Sequence, residues 1–167
     1  MKIKENIGLI GMPAVGKSTV GVLLAKKLGF EFLDTDIMIQ TKEQMTLAQI
    51  IEKKGLTPFL DIEASYIMAL NFSRHVIATG GSVIYREKAM AHLAKTTTLI
   101  YLAVDLDILM TRLLDVIARG VALEQGRGIE DLYKERTPLY DRYGDIKIEC
   151  GSMTPAQVVE AITHYLS

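Results

Sequence analysis

The sequence has a single cysteine, four prolines, no tryptophan and no run of like charge, and each shortage removes a class of protein. A lone Cys150 excludes a disulfide framework. A reducing cytoplasm is then the simplest setting, with Cys150 as a small packing residue near the end of a strand and not a nucleophile. Formal net charge is −1, and the basic pairs Lys26-Lys27 and Lys53-Lys54 read as solvated faces. Global attraction to nucleic acid or to an anionic membrane is therefore not expected. No apolar stretch approaches the length of a membrane helix; the most apolar window, 99–104, is strand-sized. Met1-Lys2-Ile3-Lys4-Glu5 leads directly into an apolar run, which leaves no room for a signal peptide. His75, His92 and His164 are scattered, without the spacing of a transition-metal site, and no nucleophile triad is readable. The eight methionines read as adaptable core filling.

What is present fits one globular domain over 1–167. The chain is 49% hydrophobic and 23% charged, and long enough for a real core. Five apolar runs, 7–10, 31–33, 76–79, 98–104 and 145–149, read as strands, and helical patterns separate them. Strands alternating with helices predict an α/β fold with a parallel sheet covered on both faces. Helices are expected over 18–28, 46–54, 58–72, 86–95 and 105–115. The first should bury Val22, Leu24, Ala25 and Leu28 and stop at Gly29; Gly55 should end the second. A last helix should open at Thr154-Pro155, with Thr154 as its cap, and face Val158, Val159, Ile162 and Leu166 inward. Tyr133, Tyr140 and Tyr143 share one further predicted helix and read as packing.

Residues 11–18 read Gly-Met-Pro-Ala-Val-Gly-Lys-Ser and fit the P-loop pattern. Gly11 and Gly16 permit backbone shapes that a Cβ resists. Successive N–H groups can then face phosphate oxygens, with the dipole of the following helix adding to the pull. Lys17 is expected to reach the β- and γ-phosphates, and Ser18 to offer its hydroxyl to Mg²⁺. Pro13, Ala14, Val15 and Thr19 complete the expected nucleotide-binding set.

Two further clusters follow predicted strands, where open parallel sheets bind ligands. Asp34-Thr35-Asp36 places two carboxylates on one side of an extended segment. One can help hold Mg²⁺ through water, and the other can accept a proton from a hydroxyl; either can instead cap the next helix. Thr79-Gly80-Gly81-Ser82 permits close approach of a ligand, or serves as a tight strand-to-helix turn. Between 117 and 128 the pattern weakens to three glycines with Arg119 and Arg127, which suggests a mobile lid over ATP.

Together these motifs resemble the shikimate kinase family, in order and spacing, over most of the chain. The resemblance implies a three-layer P-loop kinase fold, with a five-stranded sheet of order 2-3-1-4-5, a substrate-binding helical region about 36–72 and a lid about 117–128. It implies ATP and Mg²⁺ as cofactors and a small-molecule hydroxyl acceptor, with shikimate converted to shikimate 3-phosphate in a cytoplasmic monomer. By that likeness Asp36 contacts the acceptor and serves as base, while Asp34 and Ser18 support the metal. Arg112 and Pro155 flank the adenine, Arg119 meets the phosphates from the lid, and Arg136 grips the substrate carboxylate. Gly80 and Gly81 match the start of a triple-glycine turn, and Phe59 and Glu63 match a Phe-Arg-x-x-Glu motif. Three positions depart from the family: Leu60 in place of arginine, Ser82 in place of the third glycine and Gly120 in place of proline. Leu60 makes the pocket wall apolar and takes the partner from Glu63. The departures leave open a kinase for another small acid or polyol, or a nucleotide-binding homologue that no longer transfers phosphate.

Overall fold

The computed structural model describes residues 4–118 and 128–166, with backbone alone for 114–118. The reading of a lid about 117–128, with Arg119 and Gly120, therefore lies outside the described residues, apart from its first two positions and its last.

Five parallel strands form one sheet in the order β2-β3-β1-β4-β5. They are β1 (Asn6–Ile10), β2 (Glu31–Asp34), β3 (His75–Ala78), β4 (Thr97–Ala103) and β5 (Ile146–Glu149). β1 and β4 are buried along their whole length, as expected for strands covered on both faces. The helices are α1 (Lys17–Leu28), α2 (Thr35–Glu43), α3 (Leu47–Lys54), α4 (Leu56–Met68), α5 (Glu87–Thr96), α6 (Leu106–Ala118), α7 (Ile129–Tyr143) and α8 (Pro155–Leu166). The α/β class, strand order and flanking helices agree with the resemblance.

The inward face of α1 differs from the expected one. Lys17, Val20, Gly21, Leu24 and Ala25 are buried, whereas Val22 is 49% exposed. The i, i+3, i+4, i+7 stripe is anchored by Lys17 and Gly21, neither of which reads as apolar. Gly21 is there because β2 comes so close: a Cβ would lie 2.5 Å from the Phe32 ring. α4 also departs from the expected span. It starts two residues before Pro58, in the first turn where a missing N–H has no partner to lose. It stops at Met68, where the Ala69 N–H is shared among the Ser65, Tyr66 and Ile67 carbonyls. Phe72 lies beyond it and stacks on His75 at 4.5 Å.

Two apolar clusters hold the molecule. The larger joins the sheet to α1, α4, α5, α6, α7 and α8. The smaller consists of Ile39, Ile50, Phe59 and Leu60, with Met38, Met45, Leu47, Ile51, Ile62, Tyr66 and Tyr85 packed around them. It gives α2, α3 and α4, the helical region after β2, an apolar centre of its own. Leu60 belongs to this centre at 8% exposure.

Candidate active site

The loop between β1 and α1 is shaped by backbone that most side chains avoid. Gly11, Ala14 and Gly16 all have positive φ, at 147°, 62° and 102°. At Gly11 a Cβ would also lie 2.7 Å from the Leu102 carbonyl oxygen, so both strain and space demand glycine. Lys17 opens α1, and its Nζ donates to the carbonyls of Gly11 and Met12, both at 2.8 Å. Burial pushes its pKa down to about 8, against the pull of Asp36. A buried ammonium inside a curl of amides is a site for multiple negative charge.

Asp34 does both things its position allows. Its Oδ1 caps α2 by accepting the N–H groups of Asp36 (3.0 Å) and Ile37 (3.2 Å). Its Oδ2 accepts the Ser18 hydroxyl at 2.5 Å. Two hard oxygen donors thus meet beside the loop, a set that suits Mg²⁺ carried in on a polyphosphate. Among the described residues no group of three or more His, Cys, Asp or Glu forms a metal cage by itself.

Beside the loop is a cavity of about 310 Å³, of the size that takes a small ligand. Ala14, Val15, Gly16, Thr19, Arg112 and Pro155, all expected at the nucleotide, line it. Arg112 is held in place by donating to the Val15 carbonyl (3.2 Å) and the Gly151 carbonyl (3.0 Å). Val20, Cys150, Met153 and Val158 also line the cavity; as single apolar residues on α1 and around α8 they carry no motif by which sequence could find them. Cys150 is buried at the end of β5, and burial pushes its thiol up to about 11. It is a packing residue, as expected.

A second cluster, where the acceptor was expected, is built around the turn after β3. Thr79 Oγ1 donates to the Leu9 carbonyl (3.0 Å), tying the turn to β1. Gly80 N–H donates to Thr35 Oγ1 at 3.1 Å, and the Gly81 carbonyl accepts the Tyr140 hydroxyl at 2.6 Å. A Cβ on Gly80 would come within 2.5 Å of Glu63 Oε1 and 2.7 Å of Asp36 Oδ1. A Cβ on Gly81 would meet Arg136 Nη1 at 3.0 Å and Pro13 Cδ at 3.2 Å. The two glycines let two carboxyls, a guanidinium and the phosphate loop converge on one turn. Asp36 has its pKa raised, chiefly by burial, against the opposing pull of Lys17. Arg136 is 3% exposed, donates from Nε to the Tyr85 hydroxyl at 3.0 Å and lies over the Tyr85 ring. Tyr85 in turn donates to Glu135. Tyr85 and Tyr140 hold the site, yet nothing distinguishes them in the sequence from the other tyrosines.

A family model described as shikimate kinase matches residues 13–167. The shikimate kinase of Thermodesulfovibrio yellowstonii is 36% identical over 161 residues, covering 95% of this chain and 92% of that protein. The chain belongs to the shikimate kinase family. Its fold agrees with that of the shikimate kinase from Aquifex aeolicus, with TM-score 0.83 at 29% identity over 96% of this chain and 95% of the other. The shikimate kinase from Acinetobacter baumannii, solved in complex with shikimate, gives TM-score 0.86 at 28% identity over 99% and 93%.

The departures at positions 60 and 82 both bear on Glu63. Glu63, left without an arginine by Leu60, accepts the Ser82 hydroxyl on Oε2 at 2.8 Å. Leu60 itself packs into the helical centre of α2–α4. Arg86 does not take over as a partner: its Nε donates to Asp61 Oδ1 at 2.8 Å and its Nη2 to the Thr57 carbonyl at 3.4 Å.

Proposed function

We propose that this chain transfers the γ-phosphoryl group of ATP to a hydroxyl of shikimate. One arrangement carries the reading: Asp36 and Arg136 converge on the Gly80-Gly81 turn, which also touches Pro13 of the phosphate loop. A base for a hydroxyl and a cation for a carboxylate thus stand beside the phosphate site. The 310 Å³ cavity takes the nucleoside, with Arg112 and Pro155 at the base. Gly11 to Thr19 take the phosphates, Lys17 neutralising them. Ser18 and Asp34 would hold Mg²⁺, which supplies charge neutralisation on the phosphates when bound.

Arg136 fixes the acceptor by its carboxylate, and Asp36 accepts the proton of the hydroxyl being phosphorylated. That oxygen forms a bond to the γ-phosphorus while the bond from the γ-phosphorus to the β,γ-bridging oxygen breaks. ADP leaves with the electron pair, and the proton leaves from Asp36. Burial suits Asp36 to this role, because a raised pKa makes its carboxylate a better proton acceptor.

Leu60 favours a second reading, in which the acceptor is a related acid or polyol. ATP consumption measured against shikimate and a panel of such compounds separates the two. Turnover at low shikimate concentration supports the first reading, and turnover with another compound alone overturns it. Lys17→Ala and Asp36→Asn should each abolish transfer in a folded protein; full activity of Asp36→Asn removes the base assignment.

A further inference from the structure

Among the described residues one buried side-chain polar atom lacks a hydrogen-bond partner, and it is Oε1 of Glu63. The residue is 1% exposed, one helical turn after Leu60 on α4. Its other oxygen is held by Ser82, and Oε1 lies behind Gly80 beside Asp36 Oδ1. A carboxylate in such a place keeps an uncompensated charge on Oε1, whereas a carboxylic acid does not. The charged groups that bear on it are Asp36 of α2, Arg136 of α7, Arg86 ahead of α5 and Lys17 of α1. Asp36 opposes its ionisation; Arg136 and Arg86 favour it, as does the Ser82 hydroxyl, but burial outweighs them and pushes the carboxyl up to about 7. Glu63 thus changes charge near neutrality, within the field of the guanidinium that is to hold the acceptor.

We propose that Glu63 is a specificity-determining residue that reads the charge of the acceptor. As a neutral acid it leaves the field of Arg136 to an acceptor carboxylate; as a carboxylate it competes for that field and disfavours an anionic acceptor. Ser82 is the positioning residue, which holds the carboxyl behind Gly80. The inference rests on the reading of shikimate, an anion, as acceptor.

The test measures KM and kcat separately for shikimate and for its uncharged methyl ester, from about pH 5.5 to about pH 8.5. In the unmodified protein the KM for shikimate should rise about tenfold across that range, the order expected for one like charge several ångströms away. The KM for the methyl ester should stay level. Glu63→Gln, which keeps shape and an oxygen for Ser82, should give a level KM for both. The same rise in Glu63→Gln, or a level KM in the unmodified protein, overturns the proposal. Should Glu63→Gln fail to fold, Ser82→Ala removes a bond that favours the carboxylate and must shift the KM rise to higher pH; an unmoved rise counts against the proposal. The Glu63 carboxyl is also titrated by ¹³C NMR without any acceptor. A midpoint near neutrality is expected, and full ionisation at about pH 5 overturns the inference. Absence of shikimate turnover at every pH, with the NMR midpoint near neutrality, overturns the acceptor reading instead and removes the inference that rests on it.

Discussion

Single residues in this protein are constrained mostly by what has to come near them. Gly80 is not strained, yet the Asp36 and Glu63 carboxyls both occupy the space of its missing Cβ. Gly80→Ala should leave the fold intact, because flexible side-chain ends can move aside. Phosphoryl transfer should fall about a hundredfold, because a base displaced by about 1 Å no longer meets its hydroxyl; steady-state kinetics beside a thermal melt checks both halves. Glu63 governs stability through its proton. Its pKa is raised from an ordinary 4.5 to about 7, so between those values the folded chain holds a proton that the unfolded chain has released. Stability contributed by this group therefore falls as pH rises through that window and is level above it. Glu63→Gln should be the more stable protein at pH 8, by at most about 3 kcal/mol, with the gap closing toward pH 4.5. Denaturant melts at the two pH values measure it.

At the scale of elements, type and order were legible and phase was not. All five strands lie within one residue of where apolar runs placed them; β1, β3 and β4, buried on both faces, announce themselves as short continuous hydrophobic stretches, whereas the edge strands β2 and β5 are only partly buried. The phase of α1 was hidden because its buried stripe runs through a lysine turned in on its own loop and a glycine pressed on Phe32. The apolar centre under α2, α3 and α4 was equally hidden: Ile39, Ile50, Phe59 and Leu60 come from three helices, and no single period joins them. It gives Leu60 a packing role beside the pocket wall expected at that position. Leu60→Ala should cost about 2–4 kcal/mol, the usual range for emptying a leucine site, less whatever collapse this small centre permits. Chemical denaturation resolves that loss; no change in midpoint would mean that the leucine packs against nothing of consequence.

For the whole molecule, strand order turns separate motifs into one site. β1 lies between β3 and β4, and β2 lies beyond β3, so the segments after β1, β2 and β3 emerge side by side at one edge. The P-loop pattern, the two aspartates and the paired glycines were each legible as local signals. Their meeting depends on a register that sequence patterns do not carry, and so do the Tyr140 and Thr35 bonds that hold the turn. If the loop and cavity receive ATP, the ligand couples to global stability. At a hundred times the dissociation constant, with Mg²⁺ present, Tm should rise by about 5–10 °C. Lys17→Ala should abolish the rise, and calorimetric scans with and without nucleotide decide the matter.

The hydroxyl of Ser82 on Glu63 also bears on descent. An arginine at position 60 would supply the glutamate with a counter-ion, and a glycine at 82 would supply it with nothing. The two departures are therefore linked in one direction, since loss of the arginine without gain of the serine strands an acid in the interior. Across lineages of these kinases, a serine at the later position should travel with the loss of the arginine at the earlier one, and the combination of leucine at 60 with glycine at 82 should be the weakest of the four.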